Sequence, residues 1–206
     1  MDRTFAELAF PPAVRAAQER YGSREGYAAV AARAQAFDGL TERETAFAEG
    51  LDGFYQATVG EGGWPYVQFR GGPKGFLRVL DPRTLGYADL EGNKQYLSVG
   101  NLAADDRVAL LLLDHANRRR VKIWARARVV DAADDPTLAA KLAVPGYPGR
   151  VGRSVLLAVE GFDWNCPQHI TPRFSAAELE TVLAPFKARL EALEAENAEL
   201  RGAAAG

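Results

Sequence analysis

The stretch from position 54 to position 130 constrains the fold most, because strand-length apolar runs there alternate with turn residues and leave little room for helices. Segments 54–59 and 66–70 are separated by Gly60-Glu61-Gly62-Gly63 and read as a hairpin, and Gly71-Gly72-Pro73-Lys74-Gly75 forms the loop that follows. Further strands are expected at 76–80, 84–89, 108–113, 121–130 and 155–159. A parallel sheet needs a crossover of a dozen or more residues between strands, and the spacing here is too short for a series of them. The pattern therefore predicts a mainly β chain, an antiparallel barrel or sandwich of six or seven strands.

Side-chain parity adds detail. In 121–130, Lys122, Trp124, Arg126 and Arg128 share one face, and Val121, Ile123, Ala125, Ala127 and Val129 share the other. The apolar run 108–113 is expected to be buried on both faces. Between 84–89 and 108–113 a short helix is expected over 93–102, starting after Gly92 and ending near Gly100.

The flanks are helical. After Pro11-Pro12 the run 13–20 is rich in helix formers, Gly22-Ser23 breaks it, and Thr41 with Glu44 has the spacing of a capping box that opens a helix through about Glu49. At the other end Leu179, Leu183, Phe186, Leu190, Leu193, Asn197 and Leu200 follow a 4-3 spacing with Asn197 at an a position. This is either a dimerising helix or an amphipathic one folded onto its own domain. The expected organisation is an N-terminal helical segment over 1–50, a β domain over 51–175 and a C-terminal helix over 176–206.

Composition removes several function classes. One cysteine, Cys166, and two histidines leave no ligand set for a zinc cluster, so no metal site is expected. Net charge is -2, which gives no overall attraction to nucleic acid. No apolar run is long enough for a membrane span, and Met1-Asp2-Arg3-Thr4 leads into no secretory core, so the expected location is the cytoplasm. The motifs of nucleophile-elbow hydrolases, P-loop enzymes and zinc proteases are absent.

Charge is nevertheless concentrated locally: six of the 25 basic residues lie within the eleven positions 118–128. One explanation is a solvated strand face paired with acids such as Asp105 and Asp106. Another is a site. Gln68 and Arg70 share a strand face with Tyr66, Asn93-Lys94-Gln95 stand at the start of the expected helix, and Arg119, Arg120 and Lys122 lie on a later strand. Cations together with a helix N-terminus suit a phosphate ester, because guanidinium forks match phosphate oxygens and the first helical N–H groups are unpaired.

The stretches Tyr66-Val67-Gln68-Phe69-Arg70-Gly71-Gly72, 92–102 and 117–124, with the tail segment Asn165-Cys166-Pro167-Gln168-His169-Ile170, resemble the pyridoxamine 5'-phosphate oxidase-related FMN-binding proteins over roughly residues 45 to 175. The resemblance implies a split β-barrel with peripheral N-terminal helices and a long C-terminal helix. It implies a homodimer with FMN at the interface, exchanging hydride with a small-molecule substrate or a nicotinamide donor. By position, Gln68 and Arg70 correspond to the strand beside the flavin, and Asn93 and Lys94, with Gln95 next to them, to the pair that grips the phosphate, with Asn in place of Arg. Arg119, Arg120 and Lys122 correspond to a strand that meets the ring, with Arg120 replacing a glutamine. Trp164 lies near the family's C-terminal tryptophan. The oxidase's own C-terminal signature is missing, so pyridoxamine 5'-phosphate is not the expected substrate, and no catalytic side chain is assigned. A non-catalytic flavin carrier or sensor, and a haem-binding relative with His115 or His169 as axial ligand, are the alternatives.

Overall fold

The computed structural model describes residues 4–34, 36–164 and 166–204; Asn165 of the tail segment lies outside the described residues. Among them are seven strands: β1 Gly53–Val59, β2 Pro65–Gly71, β3 Arg78–Asp81, β4 Thr84–Leu90, β5 Arg107–Asp114, β6 Arg119–Asp131 and β7 Val151–Trp164. They form one sheet in the order β2-β1-β5-β6-β7-β4-β3, antiparallel at every step. The edge strands β2 and β3 do not pair, yet the sheet rolls up. Three strands lie between β1 and β4, but the Tyr87 hydroxyl on β4 donates to Gln56 Oε1 on β1 at 2.8 Å, and Arg70 on edge strand β2 meets Asp89 on β4 at 2.7 Å. Side chains instead of a backbone ladder close that side, which makes the architecture a split barrel with peripheral helices.

Alternation sorts the two faces. Phe54, Leu85, Tyr87, Leu110, Leu112, Val121, Ile123 and Leu157 fill the interior at 0–2% exposure, each contributing about 1.5–3 kcal/mol of burial. The run 108–113, expected to be buried on both faces, buries only one: Val108, Leu110 and Leu112 point inward, whereas Ala109, Leu111 and Leu113 are partly exposed. The reason is that, among the described residues, no helix covers the outer face of β1, β2 and β5, where Tyr55, Val67 and Phe69 stay exposed, as crossover helices cover a parallel sheet. Register then lines up an apolar row across that outer face, Phe69 beside Tyr55 and Tyr55 beside Leu111, with Val67, Ala57 and Ala109 in the next row. The tip of the Phe69 ring reaches Gly53, where a Cβ would stand 2.2 Å from its Cζ, so any side chain at position 53 would push the ring away.

The helices are α1 Phe5–Ala9, α2 Pro12–Arg20, α3 Arg24–Arg33, α4 Glu42–Glu49, α5 Leu97–Ala104, α6 Pro136–Leu142 and α7 Ala176–Ala204. The Thr41/Glu44 capping box opens α4 as expected. The helix expected over 93–102 starts four residues later, at Leu97, and contains Gly100 within it. Asn93 explains the delay: its side-chain oxygen accepts from the Gln95 N–H at 3.2 Å, an alternative to helical bonding, and Lys94 and Tyr96 take left-handed φ values of 58° and 54°. Asn93-Lys94-Gln95 is thus a loop leading into the helix.

By packing the chain divides into two units, one ending at Asp114 and resuming over Arg119–Pro167, the other comprising His115–Arg118 and the segment from Gln168 onward. The first holds the N-terminal helices and the barrel. The second holds α7, a 29-residue helix whose Leu179, Leu183, Phe186, Leu190, Leu193 and Leu200 are all exposed. No helix among the described residues is long and apolar enough to cross a membrane.

Candidate functional site

A cleft of about 210 Å³ opens at the seam where the barrel is closed by side chains. Tyr66, Gln68 and Arg70 reach it because alternate residues of β2 point inward, and the end of β4, the loop 91–96, the first turn of α5 and Arg153 of β7 form the remaining walls. Asp89 organises the charge. One of its oxygens takes Arg70 Nη1 at 2.7 Å and the other takes Arg153 Nε and Nη2 at 2.8 Å, with side-chain exposures of 7%, 14% and 16% for the three residues. One carboxylate thus fixes two guanidiniums, and Lys94 on the same lining adds a third cation. Burial pulls the Arg153 guanidinium down, but hydrogen bonds to Asp89 and Tyr96 outweigh it and hold the group above its ordinary value. Beneath Arg70, burial drives the Tyr87 phenol well above its usual range, so it stays a neutral donor to Gln56.

Two features mark the cleft as a place for an anion. Arg70 Nε is buried without a hydrogen-bond partner, and an unmet buried donor costs about 1–3 kcal/mol unless a ligand or water accepts from it. The first turn of α5 has no side-chain cap, and Leu97, Ser98 and Val99 line the cleft, so its free N–H groups and the positive end of its dipole face the same space. Ser98 Oγ donates to Gln68 Oε1 at 2.9 Å, which leaves the Gln68 amide NH₂ as the donor it offers. These donors, cations and amide hydrogens fit the phosphate end of a nucleotide-like cofactor.

Of the residues singled out from sequence, Gln68, Arg70, Asn93, Lys94 and Gln95 line this cleft. Arg119, Arg120, Lys122 and Trp164 are not part of its lining. Arg119 binds Asp114 at 2.9 Å and lies over Phe47. Lys122 binds Asp163 at 3.1 Å and, with Trp124 and Trp164, lines a separate apolar cavity of about 620 Å³ against α1 and α3. Trp164 donates to Glu44 at 2.6 Å and is stacked by Arg43, which anchors the end of β7 to α4. Arg126 bridges Asp106 and Glu160. Much of the basic strand is therefore an ion-paired outer face. Neither histidine lines the cleft; His115 Nδ1 stands 3.4 Å from the Thr171 carbonyl. Sequence reasoning missed Asp89, Ser98 and Arg153. Asp89 and Arg153 are paired in the β4–β7 register, 64 residues apart in the chain, and carry no local motif.

A family model described as pyridoxamine 5'-phosphate oxidase matches residues 40–157. No curated protein matches the chain. Among solved structures, one from Lactobacillus delbrueckii that carries a provisional pyridoxamine 5'-phosphate oxidase name is 28% identical, covering 61% of this chain and 93% of that one, with a TM-score of 0.47. HupZ of Group A Streptococcus is 15% identical, covering 66% and 99%, at a TM-score of 0.50, a likeness of fold. An FMN-binding protein from Syntrophomonas wolfei is 10% identical, covering 72% and 97%, at 0.47.

Proposed function

The chain belongs to the pyridoxamine 5'-phosphate oxidase family, a flavin-associated family of oxidoreductase type, and from that premise we propose that it binds FMN and serves as an FMN-dependent oxidoreductase on a small molecule. The observation that carries this is the orphaned Nε of Arg70, set beside Arg153, Lys94 and the uncapped start of α5 in one cleft. When bound, FMN supplies hydride exchange at its ring. The chain's own groups bind and orient. Arg70 and Arg153, held by Asp89, take the phosphate without first having to be ordered, Lys94 neutralises further charge, and the α5 amides donate to the remaining oxygens. Gln68 offers its NH₂ as an orienting donor.

A cleft of about 210 Å³ is smaller than the roughly 300–1,000 Å³ of ligand pockets, so one chain houses the phosphate end alone. A second copy completes the site in this proposal, and the outer face of β2, β1 and β5 is the surface it covers. Phe69 is 57% exposed, Val67 58% and Tyr55 41%, and the Phe69–Tyr55–Leu111 row continues to Lys122 on β6.

The test is the absorbance spectrum of the purified protein, mass spectrometry of any released chromophore, and FMN titration of Arg70→Ala and Arg153→Ala. Each substitution is expected to weaken FMN binding roughly 10- to 100-fold, as loss of a charge-assisted hydrogen bond does. A colourless protein that refuses FMN at micromolar concentration overturns the proposal. A yellow protein that neither NADH nor NADPH reduces, and that no substrate reoxidises, is a flavin carrier instead. A haem in this cleft lacks a histidine ligand from this chain, which disfavours the haem alternative.

A further inference from the structure

The most conspicuous unpartnered surface outside the cleft is the seam of α7. At its d positions stand Leu179, Phe186, Leu193 and Leu200, between 36% and 69% exposed, and at its a positions Leu183, Leu190 and Asn197. An apolar stripe along 29 residues, about 44 Å of helix, is not stable facing water. Residues beside the seam identify what covers it. In a parallel pair each g residue faces the e residue five positions later on the other helix. Arg189 then meets the partner's Glu194, and Glu196 meets the partner's Arg201, so both charged g positions find the opposite sign, twice over by symmetry. Asn197 is the lone polar a residue, and only a parallel, unshifted pairing sets it against the partner's Asn197; an antiparallel pair buries its amide against leucine. Pro185 falls at a c position, on the side away from the seam, so its ring does not obstruct the contact.

We infer that α7 is one strand of a parallel, in-register, two-stranded coiled coil formed with a second copy of this chain. The inference is independent of flavin binding. A two-fold axis running along this coil keeps the assembly closed.

The experiment replaces the native thiol by Cys166→Ser and introduces a single cysteine in the full-length chain. Leu200→Cys, at a d position near the end of the seam, is expected to give a disulfide-linked dimer on mild oxidation. Ala195→Cys, at the outward f position, stays monomeric on the same gel. Antiparallel helices hold the two position-200 thiols roughly 30 Å apart, too far to bond. Adding Glu194→Lys to Leu200→Cys slows cross-linking, and adding Arg189→Glu as well restores it. Absence of cross-linking through Leu200→Cys, or equal cross-linking at both sites, overturns the coil while leaving the colour of the protein, and hence the flavin proposal, untouched.

Discussion

Asp89 is the residue on which the cleft depends most. It is 6% exposed and is the ion-pair partner of both Arg70 and Arg153, so removing it leaves two nearly buried guanidiniums facing each other. Breaking a buried pair from one side costs about 3–5 kcal/mol, and Asp89→Ala is expected to lose that much unfolding free energy in urea, while Arg153→Lys retains most of it. An unchanged denaturation midpoint for Asp89→Ala would show that the network does not hold the site. Lys94 poses a different question, because its left-handed backbone strains any side chain with a Cβ by about 1–2 kcal/mol. Lys94→Gly relieves that strain and, after the flexibility it adds to the unfolded chain, is expected to shift stability by no more than about 1 kcal/mol. It should nonetheless weaken FMN binding; equal affinity for FMN in titration removes Lys94 from the site.

At the scale of elements, α4 is joined to the barrel through Glu44. Its carboxylate accepts from the Thr41 backbone and hydroxyl and from the Trp164 indole, and stands 7% exposed. Burial raises its pKa, but the hydrogen bonds from Thr41 and Trp164 prevail and hold it below the ordinary value of 4.5. A carboxylate lowered on folding contributes stability that is complete above its unfolded pKa and is lost as pH falls through the folded one. The barrel should therefore lose stability as pH drops below about 4.5, and the drop should be shallower in Glu44→Gln, measured as thermal midpoints at pH 7 and pH 3. Parallel curves for the two proteins would deny Glu44 this role. Elements also differed in how plainly the sequence announced them. The Thr41/Glu44 box and the alternation of β6 are local chemistry and appear where the residues imply. The start of α5 was misplaced because the Asn93 turn competes with the helix, and α6, capped by Asp135, escaped notice within a stretch of weak periodicity.

For the whole molecule, the outer face of β2, β1 and β5 and the seam of α7 are two surfaces suited to another copy, and they can be separated experimentally. Phe69→Asp places a charge on the sheet face, on a side chain that is already 57% exposed, so the barrel should still fold, losing about 1 kcal/mol with the Tyr55 contact. On the proposal that a second copy supplies the rest of the pocket, FMN affinity should nevertheless fall. If Phe69→Asp binds FMN as tightly as the parent protein, the cleft of a single chain suffices and the sheet face has another purpose.

The sequence alone determined what depends on neighbours in the chain: strand parity, hairpin turns, the α4 cap, the heptad of α7, and a cationic set around Gln68, Arg70 and Lys94. Period, capping and turn chemistry act over a few residues, so they can be read there. Only the tertiary structure decided which cations meet. The closing of the sheet brings Arg70 of one edge to Asp89 near the other, the β4–β7 register adds Arg153, and the same curvature leaves Arg119, Lys122 and Trp164 engaged elsewhere within the chain. Register and curvature follow from the burial of a whole face at once, and no single segment encodes that.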